Sequence, residues 1–264
     1  MVTTLVKRVR FLGLALCLAM PAVPALYAQG RGGRGPAGPP PPPPVARLAA
    51  PIDVTGYWVS LVTEDWRYRM SVAPKGDLTG VPVNVAGRGA ATAWDPAKDE
   101  AAGEQCKAFG VGGLMRLPTR LHITWQDDET LKVETDFGMQ TRILHFKPTE
   151  EKGGDWQGVS MASWERSVSV MGPGRGAIPP GGSLKVVTTK MRAGYLRRNG
   201  VPYSENAVVT EYIDRLEHPN GDSLLIVETE VVDPTNLATP FWTSSHFKKQ
   251  KDAAGWNPTP CTVR

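Results

Sequence analysis

Residues 120–146 contain the most regular pattern in the chain, an alternation of polar and apolar side chains over three short runs. Their sequence is RLHITWQDDETLKVETDFGMQTRILHF. A period of two places successive side chains on opposite faces of a β-strand. The pattern therefore predicts three antiparallel strands that are joined by two tight turns.

One register satisfies both faces of the first predicted hairpin. If Trp125 pairs with Leu131, the apolar residues of the two strands share one face, because directly opposed residues lie on the same side of a sheet. The polar residues then pair on the other face as Thr124 with Lys132, His122 with Glu134, and Arg120 with Asp136.

A three-residue loop through 137–139, with Gly138 at positive φ, predicts that Glu134 lies opposite Arg142. Two interpretations of the resulting polar face are open. In the first it faces water, and its cross-strand pairs contribute about 0.2–1 kcal/mol each. In the second it lines a barrel lumen, where Glu134 orients His122 as a base and Arg142 binds an anionic oxygen.

Further alternating runs predict strands at 55–70, 183–191, 206–216 and 223–232, separated by Gly, Pro, Asn and Asp clusters. Only short helices are expected, near 96–108 and after Ser204. Many antiparallel strands with short turns predict an all-β fold, an antiparallel β-barrel. The Gly- and Pro-rich stretch 71–118 is too long for an ordinary turn, and we expect it to form long loops over one end of the barrel.

Residues 1–28 have the composition of a secretory signal peptide. Lys7, Arg8 and Arg10 precede the apolar stretch FLGLALCLAMPAVPAL, which is too short for a membrane span and ends in small residues. Residues 29–51 are rich in Gly and Pro and predict a flexible linker. This leaves 52–264 as a single barrel domain of a periplasmic or secreted protein without a transmembrane span.

The charge distribution argues against nucleic acid as a partner. Removing the three bases of residues 1–28 from the net charge of +4 leaves +1. Removing Arg31, Arg34 and Arg47 of the predicted linker as well leaves −2 for the predicted domain. The basic balance of the whole chain thus comes from its N-terminal segments and not from a nucleic-acid-binding surface.

Two cysteines remain after signal removal, Cys106 and Cys261. In an oxidising compartment they predict a disulfide that joins the C-terminus to the barrel, and the alternative is two unpaired buried thiols. The histidines are scattered and lack the HExxH spacing of zinc enzymes, and no dinucleotide or P-loop motif is present. We therefore expect neither a metal site nor a cofactor.

Candidate ligand-binding residues occur in two regions. Trp66 and Tyr68 share the even-numbered face of the predicted strand 55–70, where large aromatic residues suit a ligand cavity and also an ordinary core. Tyr195 and Tyr203 lie in the turn-rich stretch GYLRRNGVPYSENAVVTEY, where they can orient a ligand. The candidates are therefore Trp66, Tyr68, Arg120, Asp136, Tyr195 and Tyr203.

Gly56 and Trp58 in TGYW resemble the Gly-x-Trp that opens lipocalin barrels. Longer segments resemble an uncharacterised family of exported proteins of Gram-negative bacteria such as acidobacteria and proteobacteria. These segments are 121–146, WQGVSMASWE, LKVVTTKMRAGYLRRNGVPYSENAVVTEY, VVDPTNLATPFWTSSHFKK and the terminal WNPTPC. The resemblance implies export and an all-β, calycin- or lipocalin-like barrel, and it transfers no catalytic residue.

Three functions are consistent with these patterns, and they leave open whether the chain is an enzyme. The leading hypothesis is binding of a small, largely apolar or amphipathic molecule in the barrel, with Trp66 and Tyr68 on the wall and Arg142 or Tyr195 orienting a polar end. The second is a cofactor-free acid–base enzyme, an isomerase, lyase or cyclase, with His122 as base and Glu134 orienting it. The third is a structural or interaction protein whose barrel is filled.

Overall fold

The computed structural model describes residues 43–167 and 181–263, which belong to one compact unit. The predicted signal peptide, 1–28, and residues 29–42 of the predicted linker lie outside the described residues. Residues 43–51 of that linker are described and include a one-turn helix, α1 (Ala46–Ala49).

Nine strands close into a barrel in the order β1-β11-β10-β9-β6-β5-β4-β3-β2, with β2 pairing back to β1. Two further strands, β7 and β8, form a separate hairpin. The strands are β1 (Gly56–Leu61), β2 (Arg120–Asp127), β3 (Thr130–Thr135), β4 (Thr141–His145), β5 (Val159–Arg166), β6 (Gly182–Thr189), β7 (Gly194–Arg197), β8 (Val201–Tyr203), β9 (Val208–Glu217), β10 (Ser223–Val232) and β11 (Phe241–Gln250). The predicted all-β barrel is confirmed.

The barrel differs from the prediction in one pairing, because β4 and β5 are parallel. We call the end with the turns at 126–129 and 218–222 the lower end, and the end with the insertion 62–119 the upper end. β4 finishes at the lower end, and residues 146–158 return the chain to the upper end, where β5 begins. Such a return is what a parallel pair requires, since a tight turn can join only antiparallel strands.

The lumen is filled by apolar side chains. An internal cavity large enough for a ligand would leave accessible surface on the side chains around it, and the residues that fill the lumen are at most 3% exposed. They come from alternate positions of the strands, as the pleat of a barrel requires. They are Trp58, Leu121, Ile123, Leu131, Val133, Leu144, Leu184, Val186, Ile213, Leu225, Val227 and Phe247.

The insertion 62–119 contains most of the helical residues and connects the upper ends of β1 and β2. Its helices are α2 (Trp66–Arg69), α3 (Val85–Ala93), α4 (Pro96–Ala101), a 3-10 helix (Gln105–Phe109) and α5 (Val111–Leu114). The short helices predicted near 96–108 and the long segment over one end are therefore present.

The predicted strand 55–70 is too long. β1 ends at Leu61, and Asp65, with a φ of 51°, turns the chain into α2. The helix expected after Ser204 is also absent from the structure. The hydroxyl of Ser204 is bound to Asp233, residues 204–207 form a turn, and β9 begins at Val208.

The predicted register is correct between β2 and β3 and wrong between β3 and β4. His122 lies opposite Glu134 as expected, whereas Arg142 lies opposite Val133 instead of Glu134. The turn contains two consecutive residues at positive φ, Gly138 and Met139, and it shifts β4 by one position. This shift places Leu144 in the lumen, and it turns Arg142 inward as well.

Candidate functional site

The polar face of β2 and β3 looks outward, so the interpretation in which it lines the lumen is wrong. On this outer wall, Nδ1 of His122 lies 3.2 Å from Oε2 of Glu134, and Nζ of Lys132 lies 3.0 Å from the same oxygen. The pairing follows from the register, which sets His122 and Glu134 side by side on neighbouring strands. Both side chains are about a quarter to a third exposed.

Aromatic rings surround His122 on this wall. Tyr57, its partner on β1, stacks on the imidazole with ring centroids 4.1 Å apart and an angle of 3° between the planes. Trp256 meets both rings edge to face, at 5.8 Å from Tyr57 and 6.1 Å from His122. Trp256 belongs to residues 252–263, which we call the C-terminal strap because they lie across the outer wall and bond to the β3–β4 turn.

Arg142 lies on the opposite face from His122 and Glu134, so the predicted three-residue cluster is not formed. Its guanidinium lies in the lumen and donates to Glu211 at 3.0 and 2.5 Å and to Thr188 at 3.4 Å. The side chains of Arg142 and Glu211 are 1% and 0% exposed. Their mutual neutralisation, together with the buried hydroxyl of Thr188, accounts for two charged groups in the interior.

A second candidate site lies at the lower end, where three aromatic rings meet. Trp125 on β2, Phe146 after β4 and Trp164 on β5 lie with ring centroids 5.3–6.5 Å apart, and all three are partly exposed. We call them the aromatic mouth. They lie at inward positions of their strands, just beyond the last fully buried layer of the lumen.

An open pocket of about 410 Å³ lies beside the aromatic mouth. Trp125 forms part of its wall, Ile52 and Pro51 provide apolar surface, and Arg47 and Asp53 provide charged groups. This volume falls within the roughly 300–1,000 Å³ that small-molecule sites occupy. The pocket is therefore large enough for a compact ligand with a polar end.

The helix α1 covers part of the aromatic mouth. The indole N–H of Trp164 donates to the carbonyl of Ala46 at 2.8 Å, and the backbone N–H of Arg47 donates to Asp128 at 3.0 Å. The backbone N–H of Ala46 also donates to Glu129 at 3.2 Å. Residues 45–50, which the sequence assigns to a linker, thus contribute to the barrel's lower end.

The predicted ligand residues Trp66 and Tyr68 do not lie on a barrel wall, because the strand ends before them. Trp66 lies on α2 with 63% of its surface exposed. Tyr68, on the same helix, contacts the guanidinium of Arg197, whose carbon lies 4.4 Å from the ring centre. Neither residue lines the pocket beside the aromatic mouth that is described above.

Arg120 and Asp136 stabilise the base of the C-terminal strap. The carboxylate of Asp136 accepts from the backbone N–H of Arg120 at 2.7 Å, from Phe137 at 2.7 Å and from Asn257 at 3.4 Å. The Arg120 guanidinium lies 3.5 Å from the same carboxylate. Asp136 is 4% exposed, so most of its acceptor capacity is already used within the fold.

Tyr195 and Tyr203 lie in the β7–β8 hairpin below the insertion. The hydroxyl of Tyr195 donates to Asp99 at 2.7 Å, and burial together with this carboxylate raises the pKa of Tyr195. Burial also raises the pKa of Tyr203, which is 1% exposed and packs closely against Gly112. Both hydroxyls are therefore less acidic than a free phenol, and both side chains are engaged in contacts within the fold.

Cys106 and Cys261 lie at disulfide-bonding distance, with sulfur atoms 2.06 Å and Cα atoms 5.1 Å apart. The bond joins the 3-10 helix of the insertion to the C-terminal strap. The predicted cysteine pairing is thus present in the structure.

Sequence reasoning missed Phe146 and Trp164, and it named Glu211 only as a polar residue of a turn-rich stretch, without pairing it to Arg142. Trp164 lies on β5, which was not predicted because the alternation of VSMASW breaks where Met161 and Ala162 are adjacent. Glu211 has a clearer signal, since it stands between Val209 and Ile213 at an inward position of β9. A charged residue at an apolar position of a strand indicates a buried ion pair or a site.

No family model, curated protein sequence or solved structure matches the chain. Within residues 43–167 and 181–263, no group of three or more His, Cys, Asp or Glu side chains is arranged to hold a metal ion. In the same part of the chain, no helix has the length and apolar character needed to cross a membrane.

Proposed function

We propose that the protein binds a small, planar and largely apolar molecule at the aromatic mouth. The observation that carries this proposal is the convergence of Trp125, Phe146 and Trp164 beside an open pocket of about 410 Å³. The mouths of β-barrels are common positions for such sites. The fold is compatible with this function, and export to the periplasm or outside the cell remains our proposal for where the protein acts.

The packing of the lumen supports a site at the mouth over a site deep in the barrel. Side chains at the levels of Leu131 and Leu225 have no accessible surface, so a ligand there would have to displace them. At the mouth, the ring of Trp125 is already partly exposed and lines the pocket. A ligand that covers it gains about 25 cal/mol for each Å² of apolar surface removed from water.

The charged groups at the pocket favour an amphipathic ligand. Arg47 and Asp53 line the pocket, and both are exposed in the free protein. A guanidinium at the edge of an apolar surface can pair with a carboxylate or sulfonate of the ligand. The ligand class is therefore a planar apolar molecule, and an anionic group would add affinity.

The test uses the full chain and anilinonaphthalene sulfonate, a planar apolar anion whose fluorescence increases on binding. Trp125→Leu removes an aromatic wall but keeps an apolar side chain, and the Kd should rise about tenfold, or about 1.4 kcal/mol. Trp242→Leu is the matched control, since Trp242 lies near the start of β11 at the upper end of the barrel, has 54% of its surface exposed and does not line the pocket. Its Kd should stay at the wild-type value.

Equal affinities for wild type and Trp125→Leu, or equal losses in both variants, would refute the proposed site. Arg47→Gln should also raise the Kd, because it removes the guanidinium that pairs with the sulfonate. Arg67→Gln is its control and should leave the Kd unchanged, because the Arg67 side chain is 67% exposed and lies on α2. A ligand that co-purifies with the protein and is detected by native mass spectrometry should disappear in Trp125→Leu and persist in Trp242→Leu.

A second candidate function, general acid–base catalysis, is favoured by the His122–Glu134 pair. The carboxylate holds Nδ1, and no hydrogen bond to Nε2 of His122 is formed by the described residues. A carboxylate on one ring nitrogen fixes the tautomer in which the other nitrogen accepts a proton. Arg142, the predicted anion-binding partner, is excluded from this site because it faces the lumen.

The catalytic hypothesis predicts that the full chain accelerates proton abstraction from a nitrobenzisoxazole, a substrate that needs only a base. His122→Gln should abolish the acceleration, and Lys132→Gln should retain most of it because the Lys132 ammonium is paired with Glu134 and not with the imidazole. Activity that is unchanged in His122→Gln would eliminate this hypothesis and leave the binding proposal intact.

A further inference from the structure

The disulfide between Cys106 and Cys261 lies at the wall of an open surface pocket of about 520 Å³. Both cysteines line this pocket together with Glu100, Gln105 and Pro260. A disulfide in such a position is accessible to a dissolved thiol, whereas a disulfide enclosed in a core is not. Access is the first requirement for thiol–disulfide exchange.

The side-chain amide of Gln140 is directed at the two sulfur atoms. Its Nε2 lies 3.4 Å from Sγ of Cys261 and 3.8 Å from Sγ of Cys106, and it also donates to the carbonyl of Gly138 at 2.5 Å. Gln140 is absent from the residues that line the pocket, so the amide approaches the disulfide from the protein side.

A second glutamine fixes the orientation of this amide. Nε2 of Gln157 donates to the carbonyl of Phe109 at 2.8 Å and to Oε1 of Gln140 at 2.9 Å. A carbonyl oxygen only accepts, so Phe109 determines which end of the Gln157 amide is nitrogen. Gln157 and Gly138 then determine the orientation of Gln140, which donates one N–H to Gly138 and directs the other at the sulfurs.

We propose that Cys106–Cys261 is a thiol–disulfide exchange site whose co-substrate is a dithiol reductant. Cys106 is the sulfur that is attacked, and Cys261 is the leaving sulfur. The assignment follows from Gln140, since its amide nitrogen is closer to Cys261 and donates to the negative charge that develops there, while the carbonyl of Gly138, 3.3 Å from the same sulfur, accepts from the thiol that forms once Cys261 takes up a proton. Exchange is faster when the leaving thiolate is more stable.

The exchange consumes one dithiol and transfers two electrons to the protein. A thiolate of the reductant bonds to Sγ of Cys106, the Cys106–Cys261 bond breaks, and the electron pair leaves on Cys261 as a thiolate. The second thiol of the reductant loses its proton to solvent, attacks its own sulfur in the mixed disulfide and releases Cys106 as a thiolate. The reductant ends as a disulfide, and the two protein thiolates take up protons from water according to pH.

Reduction removes the covalent attachment of the C-terminal strap. The strap is then held by non-covalent contacts alone, among them the hydrogen bonds from Thr259 to Asp136 at 2.9 Å, from Gly138 to Thr259 at 2.8 Å and from Asn257 to the Asp136 carboxylate at 3.4 Å. Such contacts open locally, whereas a covalent cross-link does not. Because the strap carries Trp256 against Tyr57 and His122, reduction uncovers the outer wall around His122.

The experiment treats the native full chain with dithiothreitol, quenches with iodoacetamide and follows the reduced fraction by mass spectrometry. Wild type should be reduced without denaturant. Gln140→Leu should be reduced about tenfold more slowly, since a hydrogen bond to a charged group contributes at least a factor of about ten. Gln126→Leu, an exposed position on β2, is the matched control and should react at the wild-type rate.

Two further measurements keep the proposal testable if Gln140→Leu does not fold. Glutathione, a monothiol, should give a mixed disulfide that peptide mapping places mainly on Cys106. Hydrogen exchange at the amides of Gly138 and Thr259 should accelerate at least tenfold on reduction, and equally in Cys261→Ser. A disulfide that resists dithiothreitol in the native state, an adduct mainly on Cys261, or unchanged exchange after reduction would overturn the proposal. None of these readouts depends on a ligand at the aromatic mouth.

Discussion

Breaking the buried pair between Arg142 and Glu211 should cause a large loss of stability. Arg142→Met leaves the Glu211 carboxylate in the lumen without the two hydrogen bonds, at 3.0 and 2.5 Å, that it now accepts. Neither side chain has more than 1% of its surface in contact with water, so solvent cannot replace the missing partner. Leaving one charge of such a pair unpaired costs about 3–5 kcal/mol of unfolding free energy.

Replacing both partners should restore most of that loss. The double variant Arg142→Met, Glu211→Leu exchanges the ion pair for apolar side chains of similar volume, and the buried cross-strand neighbours Val133 and Val186 can pack against them. Such exchanges are commonly neutral or stabilising by about 1–4 kcal/mol. Thr188 keeps its hydrogen bond to Ser160 at 2.8 Å, so its hydroxyl is not left without a partner.

The assay is urea unfolding of the full chain with the disulfide intact, followed by tryptophan fluorescence, for wild type, both single variants and the double variant. Lys185→Met is the control, because Lys185 and Glu165 form a partly exposed pair at 3.3 Å whose loss should cost less than about 1 kcal/mol. Single variants within about 1 kcal/mol of wild type would refute the reasoning. A double variant that loses the sum of the two single effects would also refute it, since the cycle would then contain no coupling.

Three other changes have defined outcomes. His122→Gln should alter the unfolding free energy by less than about 1 kcal/mol, measured in urea, because the imidazole lies on the outer wall. Gly200→Ala should lower the unfolding free energy by at least about 2 kcal/mol in the same assay, since φ is +81° and the new Cβ would lie 2.1 Å from Trp94. Gly221→Ala is its control: φ is +88° there and the space around it is open, so only the backbone contribution is lost. Burial raises the pKa of Tyr195 in the folded state. Its contribution to stability is therefore complete below the unfolded-state pKa of about 10 and is lost as pH rises through the folded-state pKa. Tyr195→Phe should flatten the decline of stability that thermal melts record above about pH 10.

The hairpin of β2 and β3 could be predicted residue by residue because one face is buried and the other is wet. A slip of one position would have moved Leu121, Ile123 and Val133 into water, so the apolar pattern alone fixes the register. The same pattern placed His122 opposite Glu134, and the structure confirms that pairing. What the pattern did not specify was which face looks into the barrel.

The register of β4 was not predictable from turn chemistry alone. Gly138 adopts the expected positive φ, but Met139 adopts it as well, which a residue with a Cβ atom rarely does. The predicted register placed Arg142 opposite Glu134 as an ion pair, and it would have left Leu144 and Phe146 on the solvent-facing side of the sheet. Burial of those two apolar side chains outweighs one surface ion pair, since the pair contributes only about 0–1 kcal/mol.

The end of β1 shows a different limit of periodicity. The alternation in residues 55–70 continues past Leu61, but Asp65 adopts the left-handed conformation and the next four residues form α2. In α2 the polar and aromatic residues still alternate along the sequence, but a helix does not place every second side chain on the same face as a strand does. This is why Trp66 and Tyr68, chosen for a barrel wall, lie outside it.

Arg142 and Glu211 are two charged residues at inward strand positions, and each accounts for the burial of the other. Arg142 stands with Leu144 at inward positions of β4, and Glu211 stands between Val209 and Ile213 at inward positions of β9, 69 residues away. An isolated charge cannot be buried without several kcal/mol of cost, so each strand requires an opposite charge at the same level of the lumen. The barrel provides it by setting β4 two strands away from β6, which pairs with β9. An inward arginine and an inward glutamate on separate strands therefore constrain how those strands are placed, which no local turn or propensity does.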